Sequence, residues 1–413
     1  MHQFRKGSKE LIKDMNRYIV LDHIRRHGPS SRSDIAKKTK IGMSTLTNIT
    51  EEFLQANLLI EAGTVHSTGG RKPVLLQLNS EYGYTFGIKI EEENIRIALT
   101  NLHVKIVHQH EAAFPKGSDP EFVINMIVME VHRILKRYEL SLQHCLGIGL
   151  AVSGLINRET GVIVRSTLLG WKNVSICEYI SGQLDRIPVF IDKNINAYTL
   201  AECWFGIGKK FSDFVCVSVG AGVGLSLVLQ GDLYYGNFGG AGEFGHTIVQ
   251  MNGYPCHCGQ NGCLEMYASE HYFTNEGPLL KDQYESTLIT EYTFDGVWQA
   301  FAQKDRLAQH LLQKLGVHLG YGIVNIINSL NPKKIVLIGE GMKYQSAFLP
   351  YAMETAENNF FAAANLNTEI AVSELGDDSW LQGAALLAME QLFHVPIYEK
   401  QKDRRGSVWD KHS

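Results

Sequence analysis

Apolar positions along this chain follow one rhythm up to about residue 80 and another beyond it. Between Ser8 and His27, Ile12, Met15, Ile19, Val20 and Ile24 recur at helical spacing, and Gly28-Pro29 closes the predicted helix. Ser31, with Asp34 three residues on, predicts a capped second helix running through Lys38. Thr39 to Gly42 makes a tight turn, and a third helix follows with Leu46, Ile49, Phe53 and Leu54 facing inward. Two short strands, LLIEAG and PVLLQLN, then flank a loop from Thr64 to Lys72. Three helices and a hairpin in this order predict a winged helix-turn-helix over residues 1–80.

From Tyr82 the pattern becomes α/β. Three strand-like runs, YTFGIKI, NIRIALTNL and VKIVHQHEA, predict an antiparallel meander. A helix from Glu121 to Tyr138 leads to the apolar strand LGIGLAV, ending at Ser153-Gly154. The strand VFID ends at Asp192 and precedes a helix from Asn196 to Trp204. The strands FVCVSV and GLSLVLQ begin a second lobe, followed by a helix over Leu307–Ser329, the strand KIVLIG and a closing helix over Ser379–Phe393. From Pro396 the tail is polar and mixed in charge, the composition of a mobile segment.

Charge sharpens this division. Residues 1–80 hold 13 Lys+Arg against 7 Asp+Glu, a net of +6, whereas the remainder carries −10. A basic head on an acidic body predicts a polyanionic partner that meets only the head. On the outward face of the third helix, Ser44, Thr45, Thr47 and Asn48 are placed to reach base edges in a major groove. Lys37, Lys38 and Lys40 flank the turn at positions suited to phosphate, and Arg71 and Lys72, beside Gly69-Gly70, can reach a minor groove from the wing. The expected partner is a double-stranded DNA operator. The chain lacks an apolar run of about 18 residues and an apolar leader near its N-terminus, which predicts a cytoplasmic protein without a membrane partner.

The stretch Gly239–Glu265 carries the densest chemistry. Cys256, Cys258 and Cys263 stand as C-x-C-x4-C, with His246 upstream. Three thiolates and an imidazole suit a closed tetrahedral Zn2+ site, and Gly259 and Gly262 allow the tight turn that chelation needs. Four protein ligands leave no open position, so the metal is expected to be structural. Cys145, Cys177, Cys203 and Cys216 lie in apolar or helical surroundings, as reduced core thiols do.

Several motifs together resemble the ROK family of sugar kinases and sugar-responsive repressors: GGAGEFGH at 239–246, CHCGQNGCLE at 256–265, NINA followed by AECWFG at 194–206, and VGAGVG at 219–224. The resemblance covers about 80–393 and implies a two-lobed actin/hexokinase-like (ribonuclease H-like) fold. It implies lobes at 81–198 and 199–378 and a helix at 379–395 packing back on the first lobe, before the mobile tail at 396–413. A winged helix in front is the layout of the family's repressor branch. By resemblance, Glu243, His246 and Glu265 contact sugar hydroxyls, Asn194 contacts another, and His246 serves metal and ligand at once. Asn194 stands where family kinases have the carboxylate that accepts the sugar proton; an amide cannot be a general base. Asp192 sits two residues from that place. Lys89-Ile90-Glu91-Glu92-Glu93 stands where kinases have a D-x-G-G-T phosphate turn, and its carboxylates would repel a triphosphate. Leu168-Leu169 before Gly170-Trp171 replaces the family's N-L pair, removing one sugar-binding amide.

The expectation is therefore a non-enzymatic repressor, a homodimer or dimer of dimers, released from a palindromic operator by a sugar bound in the cleft of the two-lobed body. The resemblance implies xylose, glucose or N-acetylglucosamine as effector. The competing readings are a sugar kinase with an accessory DNA-binding head, and a repressor controlled by a protein partner.

Overall fold

Serine hydroxyls set the first two helices. Ser8 accepts from the Leu11 amide at the start of α1 (Lys9–His27), and Ser31 accepts from the Asp34 amide at the start of α2 (Arg32–Thr39). Lys40 takes a left-handed conformation, φ 61°, and ends α2. The chain then enters α3 (Met43–Gln55). A three-stranded antiparallel sheet, β1 (Ser30–Ser31), β2 (Leu59–Thr64) and β3 (Val74–Leu78), runs in the order β1-β3-β2. The structure is a computed structural model, and it describes residues 8–64, 73–237, 239–284, 286–362 and 367–392.

The buried face of α1 differs from the one its apolar spacing predicts. Ile12, Met15 and Ile19 are exposed, whereas Leu11, Val20, Leu21 and Ile24 are buried. The reason lies in the basic residues. The Arg17 side chain is only 17% exposed and pairs with Asp14 and Glu52; that of Arg25 is 5% exposed and pairs with Asp22. Their aliphatic stems occupy inward positions that a polarity count assigns to solvent. In α3, Leu46, Ile49 and Phe53 are buried as expected, but Leu54 is only half-buried. Thr50 takes a fully buried place, where it accepts from Arg32 Nε at 2.8 Å.

The chain divides into two compact units, residues 1–198 with 377–413, and residues 199–376. The first contains a five-stranded sheet built from β4 (Tyr84–Ile90), β5 (Asn94–Asn101), β6 (Ile106–Ala113), β7 (Cys145–Val152) and β11 (Val189–Lys193), in the order β11-β7-β4-β5-β6. The three hairpin strands are antiparallel; β7 runs parallel to β4, and β11 to β7. Helices α4 (Pro120–Arg137) and α5 (Ile176–Gln183) bury apolar side chains with one face of this sheet. A smaller sheet, β8 (Leu155–Asn157), β9 (Val162–Ser166) and β10 (Trp171–Val174), interrupts the chain between β7 and α5.

After α6 (Asn194–Phe205), the second unit repeats the same strand logic. Its sheet, β12 (Phe214–Val219), β13 (Val223–Leu229), β14 (Asp232–Tyr234), β15 (Lys334–Ile338) and β16 (Glu369–Val372), runs β14-β13-β12-β15-β16, with β15 parallel to β12 and β16 to β15. Helices α7 (Glu265–Ala268), α8 (Glu270–Leu280), α9 (Phe294–Ala302), α10 (Arg306–Leu330) and α11 (Gln345–Glu357) build its core.

The closing helix, α12 (Asp378–Leu392), lies on the other face of the first unit's sheet. Glycines make the seat. A Cβ on Gly87 of β4 would stand 2.0 Å from the Leu381 carbonyl oxygen, and one on Gly149 of β7 would stand 1.8 Å from that of Ala384. Gly383 of α12 is equally close to the Ala197 carbonyl of α6. Among the described residues no helix is long and apolar enough to cross a membrane.

Substituting Gly149 by valine is expected to destabilise the protein by at least about 2 kcal/mol in urea unfolding, because backbone rather than a movable side chain blocks the new atoms. Gly182→Ala in α5, where nothing lies within 4 Å of the added atom, serves as the control and should be neutral or slightly stabilising.

Candidate functional site

The segment after β14 is pressed against β13 by glycines. A Cβ on Gly242 (φ +85°) would stand 2.1 Å from the Leu225 carbonyl oxygen, and one on Gly245 would stand 2.2 Å from that of Val223. This contact fixes the single 3-10 turn Phe244–His246 and with it the His246 ring. A second tight loop follows. Gly259 and Gly262 have φ of +100° and +79°, and Cys256 N–H donates to the Gln260 carbonyl at 2.8 Å.

The two loops bring His246, Cys256, Cys258 and Cys263 together, with one ligand atom from each lying within 4.8 Å of the others. His246 Nδ1 is 3.5 Å from Cys256 Sγ, and Cys258 Sγ is 3.6 Å from Cys263 Sγ. This cluster can hold a metal ion. Burial pushes the Cys263 thiol up to about 12 and also raises that of Cys256; the Gln260 amide and the neighbouring thiols outweigh burial at Cys258 and bring it down. The other ring nitrogen of His246, Nε2, lies 3.9 Å from Glu243 Oε2, so the two nitrogens face different partners.

Glu265 opens α7, two residues after the last cysteine. Its Oε2 accepts from the Val223 amide at 3.1 Å. Its Oε1 is buried without a hydrogen bond and lies 3.5 Å from Nδ1 of His257. The His257 ring stands edge-on to His246 at 5.1 Å. His257 escapes a sequence reading because it occupies the variable position of C-x-C. Glu243 is half-exposed.

In the first unit, Asn194 begins α6, and its Oδ1 is buried without a hydrogen-bond partner. Asp192 is fully buried and committed. Arg158 Nε lies 2.9 Å from its Oδ2, while its Oδ1 accepts from the Lys193 amide at 2.7 Å and from Asn196 Nδ2 at 2.8 Å. A carboxylate held this way is a positioning group for the strand-to-helix junction and is poorly placed to take a proton.

Lys89 adds a feature that counting acids misses. The side chain is buried, pairs with Glu91, and places Nζ 4.4 Å from the centre of the Trp380 ring of α12. Glu92 pairs outward with Lys116 at 2.7 Å. The first strand end thus carries a buried ammonium together with its acids. Leu168 is exposed and Leu169 buried, both apolar.

On the head, Ser44, Thr45 and Asn48 are exposed along the leading half of α3, and Lys37, Lys38 and Lys40 are exposed around the turn before it. Thr47 is half-buried and donates its hydroxyl proton to the Met43 carbonyl at 2.9 Å, which leaves its oxygen lone pairs for a partner. Arg71 and Lys72 lie outside the described residues.

The ROK family pattern matches residues 85–391. A xylose repressor of Caldicellulosiruptor bescii is 30% identical over 398 residues, covering 95% of this chain and 100% of that one. The DNA-binding transcriptional dual regulator NagC of Escherichia coli is 27% identical over 391 residues, covering 94% and 95%. Among solved structures, a ROK family transcriptional regulator described as a homolog of the E. coli MLC protein superposes with a TM-score of 0.81 at 26% identity, over 94% of this chain and 98% of that chain. A ROK family glucokinase from Streptomyces griseus shares the fold with a TM-score of 0.62 at 21% identity, over 75% of this chain and 100% of its own. A family pattern spanning most of the length, and repressor relatives that match through the head as well as the body, establish that this chain belongs to the ROK family.

Proposed function

We propose that the chain is a sugar-responsive, DNA-binding transcriptional repressor of carbohydrate-utilisation genes. The observation that carries this reading is where the likeness stops. The repressor relative and the transcriptional-regulator structure cover 95% and 94% of this chain, more than a body starting near residue 80 could supply, whereas the glucokinase fold match covers only three quarters of it. In this reading residues 1–80 form a winged helix-turn-helix, and α3 enters the major groove with Ser44, Thr45, Thr47 and Asn48 leading. Lys37, Lys38 and Lys40 bind phosphates, and Arg71 and Lys72 reach a minor groove from the wing. A homodimer presents two heads to half-sites roughly 34 Å apart, or a multiple of that.

The effector is a sugar, and the residues assigned to contact it are Asn194, Glu243, His246 and Glu265. Two unsatisfied buried acceptors, Asn194 Oδ1 and Glu265 Oε1, support this. A buried acceptor without a donor is costly, and a ligand hydroxyl removes the cost. The protein is not a phosphotransferase. Asn194 offers no base, Asp192 is tied to Arg158, and the buried ammonium of Lys89 stands where family kinases keep an acid for the metal. ADP release from Mg-ATP that depends on a sugar would contradict this part.

The metal in the His246 cluster is Zn2+ in a structural role. With Zn–S near 2.3 Å a tetrahedral site has S···S edges of about 3.8 Å, which the Cys258–Cys263 distance of 3.6 Å fits. The ion would hold His246 through Nδ1 and leave Nε2 to the sugar and Glu243. Cys258→Ser is expected to lose zinc by elemental analysis, to melt at least several degrees lower, and to bind the sugar more weakly. A variant that loses zinc but keeps its melting temperature would show that the metal is not structural.

Operator binding tests the reading as a whole. Three exposed lysines on each of two heads allow about six phosphate contacts, so log K should fall against log salt with a slope near −5, and Asn48→Ala should weaken specific binding by about 1–3 kcal/mol per half-site. A flat salt response with a matched palindromic duplex would remove the DNA reading.

A further inference from the structure

Backbone amides exposed in a glycine-rich turn form a seat for oxyanions. In the second unit one such seat, the turn joining β12 to β13, is occupied by a side chain of the protein itself. The parallel pairing of Ser218 with Ile338 brings the ends of β12 and β15 side by side. Directly after β15 come Gly339, Glu340 and Gly341. A Cβ on Gly339 (φ +101°) or on Gly341 would stand 2.6 or 2.8 Å from the Val219 carbonyl oxygen, so glycine on both sides lets this segment close on the turn. Glu340 then reaches across: its Oε1 accepts from the Ala221 amide at 2.8 Å. The carboxylate lies so flat on the turn that a Cβ on Gly220 would stand 2.1 Å from Oε1 and 2.2 Å from Cδ.

The same turn holds a second carboxylate on its other side. Val223 N–H donates to Glu265 Oε2 at 3.1 Å, and a Cβ on Gly222 would stand 2.7 Å from that oxygen. The Gly220 carbonyl accepts from the Glu270 amide at 3.1 Å, which ties in the first residue of α8. Four consecutive residues, 220–223, therefore link Glu340 to Glu265.

We propose that Glu340 is a built-in occupant of an oxyanion seat and, through residues 220–223, a positioning residue for Glu265. The carboxylate satisfies the Ala221 amide with a charge-assisted hydrogen bond and repels a free phosphate that would compete for it. Holding Ala221 fixes Val223, and Val223 fixes which Glu265 oxygen is spent on the backbone and which stays free. The oxyanion half of this proposal stands on geometry alone; the sugar half rests on the function proposed above.

The test uses full-length protein and two probes: inorganic phosphate, and a panel of xylose, glucose and N-acetylglucosamine. Glu340→Ala should bind phosphate about tenfold or more tighter than the wild type by calorimetry, the equivalent of one charge-assisted hydrogen bond becoming available. Its sugar affinity should fall by about tenfold without phosphate and recover at saturating phosphate, whereas wild type ignores phosphate. Glu340→Gln, whose amide oxygen can still accept from Ala221, should keep near-wild-type sugar affinity. Glu340→Ser replaces the alanine variant if that one does not fold. An open variant that binds phosphate no better than wild type overturns the seat. Sugar affinity that is indifferent both to residue 340 and to phosphate overturns the positioning role. A wild type that binds no sugar of the panel counts against the sugar reading, and the phosphate arm still decides the seat.

Discussion

The first unit depends on one steric constraint: at two points of the sheet, Gly87 and Gly149, no side chain may stand between α12 and the strand beneath it. Gly87 and Gly149 clear the strands, and Gly383 clears α6. Once seated, α12 touches much of what matters in this unit. Its first turn lays Trp380 over the Lys89 ammonium and edge-on to Tyr198 of α6, with ring centres 4.7 Å apart. Near its end, Glu390 acts electrostatically on Tyr18, Arg25 and Arg26 of α1. Burial first, and the Asp22 and Glu390 charges after it, keep the Tyr18 hydroxyl above its ordinary range. One helix therefore has neighbours on the helix that begins with Asn194 and on the first helix of the head.

The second unit is organised by a different device, a set of short loops each braced by backbone contact. The His246 turn leans on β13, the cysteine loop folds on Gln260, and the 220–223 turn is gripped by carboxylates from two directions. Glycine contacts and charged hydrogen bonds brace these loops, and the His246 cluster can hold a metal ion that would add to this rigidity. Two charged side chains are likewise held in place: Lys89 at the end of β4 by Glu91 and Trp380, and Glu340 after β15 by the Ala221 amide.

Much of this was legible in the residues. The β4-β5-β6 meander and the strands β7, β11, β12, β13 and β15 follow from apolar runs, the capped α2 from Ser31 and Asp34, and the ligand cluster from C-x-C-x4-C with an upstream histidine. Other features were not legible, for identifiable reasons. The inward face of α1 is hidden because Arg17 and Arg25 lie along it with their charges paired. The strands β8, β9 and β10 are short, and their alternation is broken by turns. Arg158 on Asp192 and Glu340 on Ala221 join residues 34 and 119 positions apart, and no local pattern announces such a pairing.

The central claim is that a carbohydrate-gripping body, stripped of phosphoryl transfer, sets the affinity of a DNA-reading head. A sugar can act this way only by binding the operator-bound and free states unequally. The most direct measurement is the operator dissociation constant, by fluorescence anisotropy at fixed salt, with and without a sugar shown by calorimetry to bind. The account predicts a rise of at least about tenfold at saturating sugar, or about 1.4 kcal/mol of coupling. A bound sugar that leaves operator affinity unchanged would contradict it.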